Sequence, residues 1–127
     1  MEIEIKELIG KTLTKCTGSV GGDEIVFETT DGKTYCLYHT QDCCETVTVE
    51  DICGELTDLV GSPIVQAEEN SSKNDPPGVK KEHQDESFTW TFYRISTAKG
   101  QVVIRWYGSS NGYYSESVEF CDVTKPE

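Results

Sequence analysis

Side chains that could bind a metal or attack a substrate crowd into one short segment. It begins at His39 and continues with Asp42, Cys43, Cys44 and Glu45. Zinc is commonly bound by pairs of cysteines separated by roughly two to four residues, and the adjacent cysteines here do not fit that spacing. On a strand, their side chains would also point to opposite faces. We therefore expect no native metal and no cofactor.

Nucleophilic catalysis has little support in the sequence. A cysteine nucleophile needs a histidine base close to it in space, and the only histidines are His39 and His83. Nothing would hold His83 in place, because residues 70–86 are rich in Ser, Asn, Asp, Pro and Lys and cannot bury apolar surface. The sequence favours a binding protein over an enzyme.

Carboxylates without neighbouring cations form the strongest pattern in the chain. Residues 34–72 contain eight Asp and Glu side chains and no Lys or Arg, and the whole chain carries a net charge of −12. A surface of this kind repels nucleic acid and membranes and attracts basic proteins. Solubility alone would account for the pattern equally well. The candidate partner-binding residues are Glu50, Asp51, Glu55 and Asp58.

A cation among phenols and hydroxyls forms a second candidate site in the last third of the chain. Arginine offers a planar fork of donors to phosphate or carboxylate, and tyrosine offers a ring for stacking. An ordinary solvated sheet face is the simpler interpretation of the same residues. The candidate residues for binding an anionic small molecule are Arg105, Tyr107, Tyr113, Ser115 and Tyr93.

Hydrophobic periodicity predicts the elements that must position these side chains. Two segments have helical spacing: residues 3–9 and the acidic residues 50–60. Strand patterns, joined at such turns as Asp31-Gly32, cover residues 12–19, 24–29, 33–38, 46–49, 63–68, 87–98, 101–108 and 113–123. We expect one α+β domain over residues 1–127: a twisted antiparallel sheet with short helices packed on one face and a mobile loop at 70–86.

The lengths of two turns decide which residues of the last three strands form the core. We expect three-residue loops at 98–100 and at 110–112, the second with Gly112 in the left-handed conformation, because this register brings apolar residues to one face. The predicted core face is Phe88, Trp90, Phe92, Val102, Ile104, Trp106, Tyr114, Val118 and Phe120. Thr91, Tyr93, Arg105 and Tyr107 would then lie on the opposite face.

The N-terminal segment and the cysteines indicate a cellular compartment. Residues 1–10 are acidic and amphipathic, unlike the basic start and apolar run of a signal peptide. No stretch approaches the roughly 20 apolar residues of a membrane span. We therefore expect the cytoplasm, with the six cysteines in the reduced form and serving mainly as small buried hydrophobic residues.

Several sequence strings are similar to those of a known protein family. They are Trp90-Thr91-Phe92-Tyr93, the run from Ile104 through Tyr107-Gly108-Ser109-Ser110-Asn111-Gly112 to Glu116, Tyr38-His39, Asp42 to Glu45, Glu50-Asp51-Ile52 and Gly61-Ser62-Pro63-Ile64. Together they resemble an uncharacterised family of small acidic proteins that bacteriophages and prophages encode. The resemblance implies a phage product that acts in the cytoplasm of a bacterial host.

That setting sharpens the functional expectations. We expect a small acidic protein that binds a basic surface of a host protein and inhibits a host enzyme or antiviral defence effector. Its carboxylates would occupy a groove built for nucleic acid. An alternative is a sponge that sequesters a nucleotide immune signal through the arginine and tyrosine face. A Cys/His metal protein is the weakest alternative, and the oligomeric state is left open.

Overall fold

The computed structural model describes residues 3–76 and 86–125, in which eight strands form two antiparallel sheets. One sheet has the order β1-β2-β3-β8 and the other has the order β4-β7-β6-β5. The strands are β1 (Leu13–Thr17), β2 (Glu24–Thr29), β3 (Thr34–Tyr38), β4 (Thr46–Cys53), β5 (Gln66–Ser72), β6 (Ser87–Thr97), β7 (Gly100–Ser110) and β8 (Glu119–Asp122). Two single-turn 3₁₀ helices span Ile5–Leu8 and Leu56–Leu59.

The two sheets share one hydrophobic core. Ile25, Phe27 and Leu37 of the first sheet and Ile104 and Trp106 of the second are fully buried members of the same cluster. In β2, and in β7 as far as Trp106, these residues alternate with less buried ones, as a strand with one covered face requires. Burial of each such side chain contributes roughly 1.5–3 kcal/mol, so this cluster is the main source of stability.

The predicted helix at residues 50–60 is wrong. β4 continues to Cys53, and only the short 3₁₀ turn Leu56–Leu59 follows it. Pairing with β7 supplies the backbone hydrogen bonds that a helix would otherwise form within itself. A bulge between Val49 and Asp51 interrupts this pairing. The described part of the chain contains 3₁₀ turns but no α-helix. The antiparallel β-rich character is as predicted, but the strands form two sheets instead of one, and the α+β class is only loosely matched.

The predicted face of β6 is also wrong. The β6–β7 turn has two residues, because Thr97 pairs directly with Gly100. A change of one residue in the loop moves every side chain of a strand to the other face. As a result Thr91, Tyr93 and Ile95 point into the core, and the aromatic set that was expected there lies on the outer face: Phe88, Trp90 and Phe92.

The segment after β7 is a crossover, where a long strand was predicted. Gly112 has a positive φ of 95°, which agrees with the predicted left-handed turn, and Val118 and Phe120 are buried as expected. Residues 111–118, however, carry the chain from the second sheet to the first, and β8 begins only at Glu119. Part of the predicted 70–86 loop belongs to β5; its residues 77–85 lie outside the described residues.

Candidate functional site

The β4 edge of the second sheet combines residues from both predicted sites. Arg105 donates from Nε to Glu50 Oε2 at 2.5 Å, and its guanidinium lies 3.8 Å from the Asp51 carboxylate. The bulge between Val49 and Asp51 puts these consecutive acidic residues within reach of one guanidinium. Arg105 also lies 5.4 Å from the ring centre of Trp90. Arg105 therefore uses its Nε–H donor on Glu50 and forms an ion pair with Asp51.

The remaining predicted partner-binding residues continue along the chain from this edge. Asp51 and Glu55 are exposed, whereas Asp58 is half-buried beside the β6–β7 turn. Between them Gly54 has a φ of 105°, and a Cβ there would lie 2.7 Å from the backbone oxygen of Gln101. The glycine thus lets the chain pass closely over β7 and present Glu55 to solvent.

The acidic stretch does not form one continuous surface. β4 and β5 are opposite edges of the second sheet, so the exposed Glu68 and Glu69 of β5 are separated from Asp51 and Glu55 by two strands. Glu45 is buried and does not contribute to the surface at all. The carboxylates of the 34–72 stretch therefore belong to two edges and one interior site.

The five predicted ligand-binding residues do not share a face. Tyr93 is buried in the core and donates its hydroxyl to Glu69 at 3.2 Å. Tyr107 is buried on the opposite face of the sheet, 4.7 Å from Trp90 between ring centres. Tyr113 is 90% exposed, and Ser115 follows it in the crossover. The two-residue turn between β6 and β7 separates Tyr93 from Tyr107 and Arg105, because it reverses the predicted register.

A buried carboxylate organises the β3–β4 crossover, residues 39–45. Glu45 accepts backbone N–H groups of Asp42 at 3.0 Å and Cys43 at 2.8 Å, and its Oε2 lies 2.8 Å from His39 Nε2. The Cys43 amide and then the His39 ring lower the pKa of Glu45 to about 2, against the opposing effect of burial. The residues singled out as metal ligands thus form a closed hydrogen-bonded clamp.

The imidazole of this clamp is fixed at both nitrogens. His39 Nδ1 lies 2.6 Å from the Ser117 carbonyl oxygen, and Nε2 faces the Glu45 carboxylate. Through these two contacts the ring joins the β3–β4 crossover to the β7–β8 crossover.

A disulfide joins Cys43 to Cys44 in the same crossover, which corrects the expectation that all the cysteines are reduced. The other four are free. Within residues 3–76 and 86–125, no group of three His, Cys, Asp or Glu side chains is arranged to hold a metal.

A second buried carboxylate, Glu116, lies in the β7–β8 crossover beside a polar cleft. It accepts hydroxyl hydrogen bonds from Thr89 at 2.7 Å and Ser110 at 2.5 Å, and Lys73 Nζ lies 3.6 Å away. Burial acts to raise the pKa of Glu116, but the Ser110, Ser87 and Thr89 hydroxyls and Lys73 together lower it. The cleft has a volume of about 370 Å³ and is lined largely by hydroxyl groups and two carboxylates.

Sequence reasoning missed Glu116 and the structural role of Glu45. One available signal is that Glu116 follows a turn and alternates with Ser115 and Ser117, a pattern easily mistaken for a solvated strand. Only the crossover of the chain between the sheets buries this carboxylate. Gly108 of β7 makes the approach possible, because a Cβ there would lie 2.6 Å from the Glu116 backbone oxygen.

Comparison with known proteins identifies a family and no characterised relative. A family model described as "Domain of unknown function (DUF7448)" matches residues 6–120. The match spans most of the chain, which therefore belongs to this family. No curated protein and no solved structure matches the chain. Among the described residues, none of the helical segments has the length and apolar character to cross a membrane.

Proposed function

We propose that this member of the DUF7448 family is a binding protein that docks a basic protein partner at the β4 edge. The observation that carries the proposal is the position of Asp51 and Glu55. Asp51 is exposed on the edge strand β4 and Glu55 is exposed just beyond its end, and the guanidinium of Arg105 pairs with Glu50 and Asp51. An edge strand with acidic side chains offers a partner both charge and backbone groups.

The backbone of this edge is partly covered already. Gly21 N–H donates to the Val49 carbonyl at 2.7 Å, and Val49 N–H donates to the Gly22 carbonyl at 2.8 Å. The β1–β2 turn therefore blocks strand addition at the centre of β4 and favours docking through side chains. The accessible part of the edge is its C-terminal half, where Asp51 lies, with Glu55 two residues beyond the end of the strand.

The partner that we propose is a host enzyme or antiviral defence effector of a bacterium, with this chain as the phage-encoded inhibitor. The sequence resemblance to phage and prophage proteins and the net charge of −12 support that setting. Carboxylates fixed on a rigid sheet edge would occupy a cationic groove that serves nucleic acid, and electrostatic steering would make their association fast.

Sequestration of an anionic nucleotide signal receives less support from the geometry. Arg105 is engaged by Glu50 at 2.5 Å, and the tyrosines predicted to accompany it lie on different surfaces. An incoming phosphate would have to displace two carboxylates that are part of the same strand. We therefore do not extend the proposal to an anion-binding role.

A pair of charge reversals on opposite sheet edges tests the proposal. The test variant is Asp51→Lys with Glu55→Lys, and the matched control is Glu68→Lys with Glu69→Lys on β5. Both change the net charge equally, and all four side chains are exposed. Tagged proteins would be cross-linked in a bacterial lysate, and the captured basic proteins quantified by mass spectrometry.

We expect the β4-edge reversal to reduce capture of the partner at least tenfold and the β5-edge reversal to leave it within about twofold, because local charge complementarity sets specificity. Capture should also decline as the salt concentration rises. Equal losses from both variants would mean that net charge alone governs binding, and this result would overturn the assignment to the β4 edge.

A further inference from the structure

Two free cysteines lie directly opposite each other on neighbouring strands of the first sheet. In the β3–β8 ladder Cys36 pairs with Cys121, and both are free and buried. Opposite residues of an antiparallel pair project to the same face, with Cα atoms about 4.5–5.5 Å apart. This separation falls within the range of Cα distances found across disulfides, roughly 4.4–6.8 Å.

The pair lies beneath an open groove on the outer face of that sheet. The groove has a volume of about 870 Å³, and Cys36 lines it together with Glu24, Val26 and Tyr38. Tyr38 donates its hydroxyl to the Cys121 sulfur at 3.4 Å. A small molecule in the groove would therefore meet the small exposed part of Cys36, with Cys121 beside it on the neighbouring strand.

We propose that Cys36 and Cys121 form a thiol pair that a small disulfide entering the groove oxidises to a cross-strand disulfide. The Cys36 thiolate attacks one sulfur of the small disulfide, forming a mixed disulfide and releasing one small thiol. The Cys121 thiolate then attacks the Cys36 sulfur and releases the second small thiol. Two protein thiols are oxidised, and one disulfide is reduced to two thiols.

The product would fasten the last strand to the sheet. β8 has four residues and pairs only with β3 in the strand order, so a covalent link across this ladder restrains the end of the folded chain. Closure of a loop of more than 80 residues between the cysteines strongly restricts the unfolded state. The fold would therefore become more resistant to unfolding after oxidation.

The environment of Cys36 sets the speed of the reaction. Burial, reinforced by the neighbouring Glu24 carboxylate, raises the pKa of Cys36 to about 11. Because the thiolate is the attacking form, oxidation near neutral pH should be slow and should accelerate as pH rises. Exposed Cys53 should react with the same small disulfide sooner, but it has no partner thiol placed opposite it in the β4–β7 ladder, where it pairs with Val103.

The experiment treats the purified full-length protein with glutathione disulfide at pH 8.5, blocks free thiols by alkylation and digests with trypsin. Cleavage separates Cys121, in residues 106–127, from the 34–73 peptide, which contains Cys36, Cys43, Cys44 and Cys53. We expect these two peptides to become linked. Cys36→Ser and Cys121→Ser should each abolish the link, whereas Cys53→Ser should leave it intact.

Melting temperature gives a second, independent readout. Oxidation should raise it by on the order of 10 °C in the wild type and in Cys53→Ser, and not in Cys36→Ser. The proposal is overturned if the 106–127 peptide remains alkylated when Cys53 is fully modified. It is equally overturned if the link persists in Cys36→Ser, because Cys121 would then pair with another cysteine.

Discussion

The two crossovers between the sheets each bury a carboxylate, but they hold it in different ways. In residues 39–45, Glu45 is bound by backbone N–H groups and by the His39 ring of its own segment. In residues 111–118, Glu116 is bound by the hydroxyls of Thr89 and Ser110 and approached by Lys73. Backbone donors are fixed in place, whereas hydroxyls rotate. The first crossover therefore holds its carboxylate with rigid donors, whereas the donors of the second can reorient.

The two carboxylates also differ in how accessible their surroundings are to a ligand. The side chains of His39 and Glu45 are 4% and 0% exposed, so the clamp has no face that a ligand could reach. Glu116 is comparably buried, but its partner Lys73 is 73% exposed and the cleft opens beside them. Buried charge thus stabilises the fold at Glu45, and at Glu116 it also shapes an accessible polar surface.

The largest expected effect on thermal stability is at Glu45 in the first crossover. Glu45→Gln should lower the melting temperature by on the order of 10–15 °C, because it leaves the His39 ring and the backbone donors without a carboxylate. Differential scanning fluorimetry measures the change. Asp42→Asn is the matched control, since the exposed Asp42 side chain makes the same change in charge within the same segment. Equal effects of the two variants would contradict the clamp.

A smaller effect on thermal stability is expected at Glu116 in the second crossover. Glu116→Gln should lower the melting temperature by roughly 5 °C, because a neutral amide can still accept from Thr89 or Ser110 once their hydroxyls rotate. Thermal unfolding followed by circular dichroism gives the value, with exposed Glu68→Gln as the control. If Glu116→Gln destabilised the protein more than Glu45→Gln, the comparison would be reversed.

The smallest expected effect is on how the melting temperature depends on pH. Folding lowers the pKa of both carboxyls below the ordinary value of 4.5, to about 2 for Glu45. Because folding lowers the pKa of Glu45, its ionised carboxylate stabilises the folded state above pH 4.5. This stabilisation is lost as the pH falls towards 2. Melting temperatures measured between pH 6 and 2 should therefore decline less in Glu45→Gln than in the wild type. Parallel curves for the two proteins would exclude a linked Glu45 proton.

Local patterns predicted several strands of both sheets. The alternation of apolar and polar residues predicts β2 with the limits that the structure shows, Glu24–Thr29. The predicted Asp31-Gly32 turn joins β2 to β3, and Gly32 has a φ of 83°. In β7, Val102 and Ile104 are buried as the pattern requires. These features depend on neighbouring residues and on a period of two, both of which are written in the sequence.

Features that depend on a count across a turn were not predicted. The turn between β6 and β7 has two residues, where three were expected, and this difference alone exchanges Tyr93 with Trp90 between core and outer face. The helical spacing of Ile52, Leu56 and Leu59 was likewise misleading. A bulged strand followed by a 3₁₀ turn buries Leu59 and packs the partly buried Ile52 and Leu56 against the core.

The sequence by itself determined that the chain is strongly acidic and that its carboxylates concentrate in residues 34–72. Only the tertiary structure decided where they lie. β4 and β5 are consecutive along the chain, but the β6–β7 hairpin inserts between them and sends them to opposite edges of the sheet. Strand order is set by non-local pairing that buries apolar faces, and the spacing of charges along a chain carries no record of it.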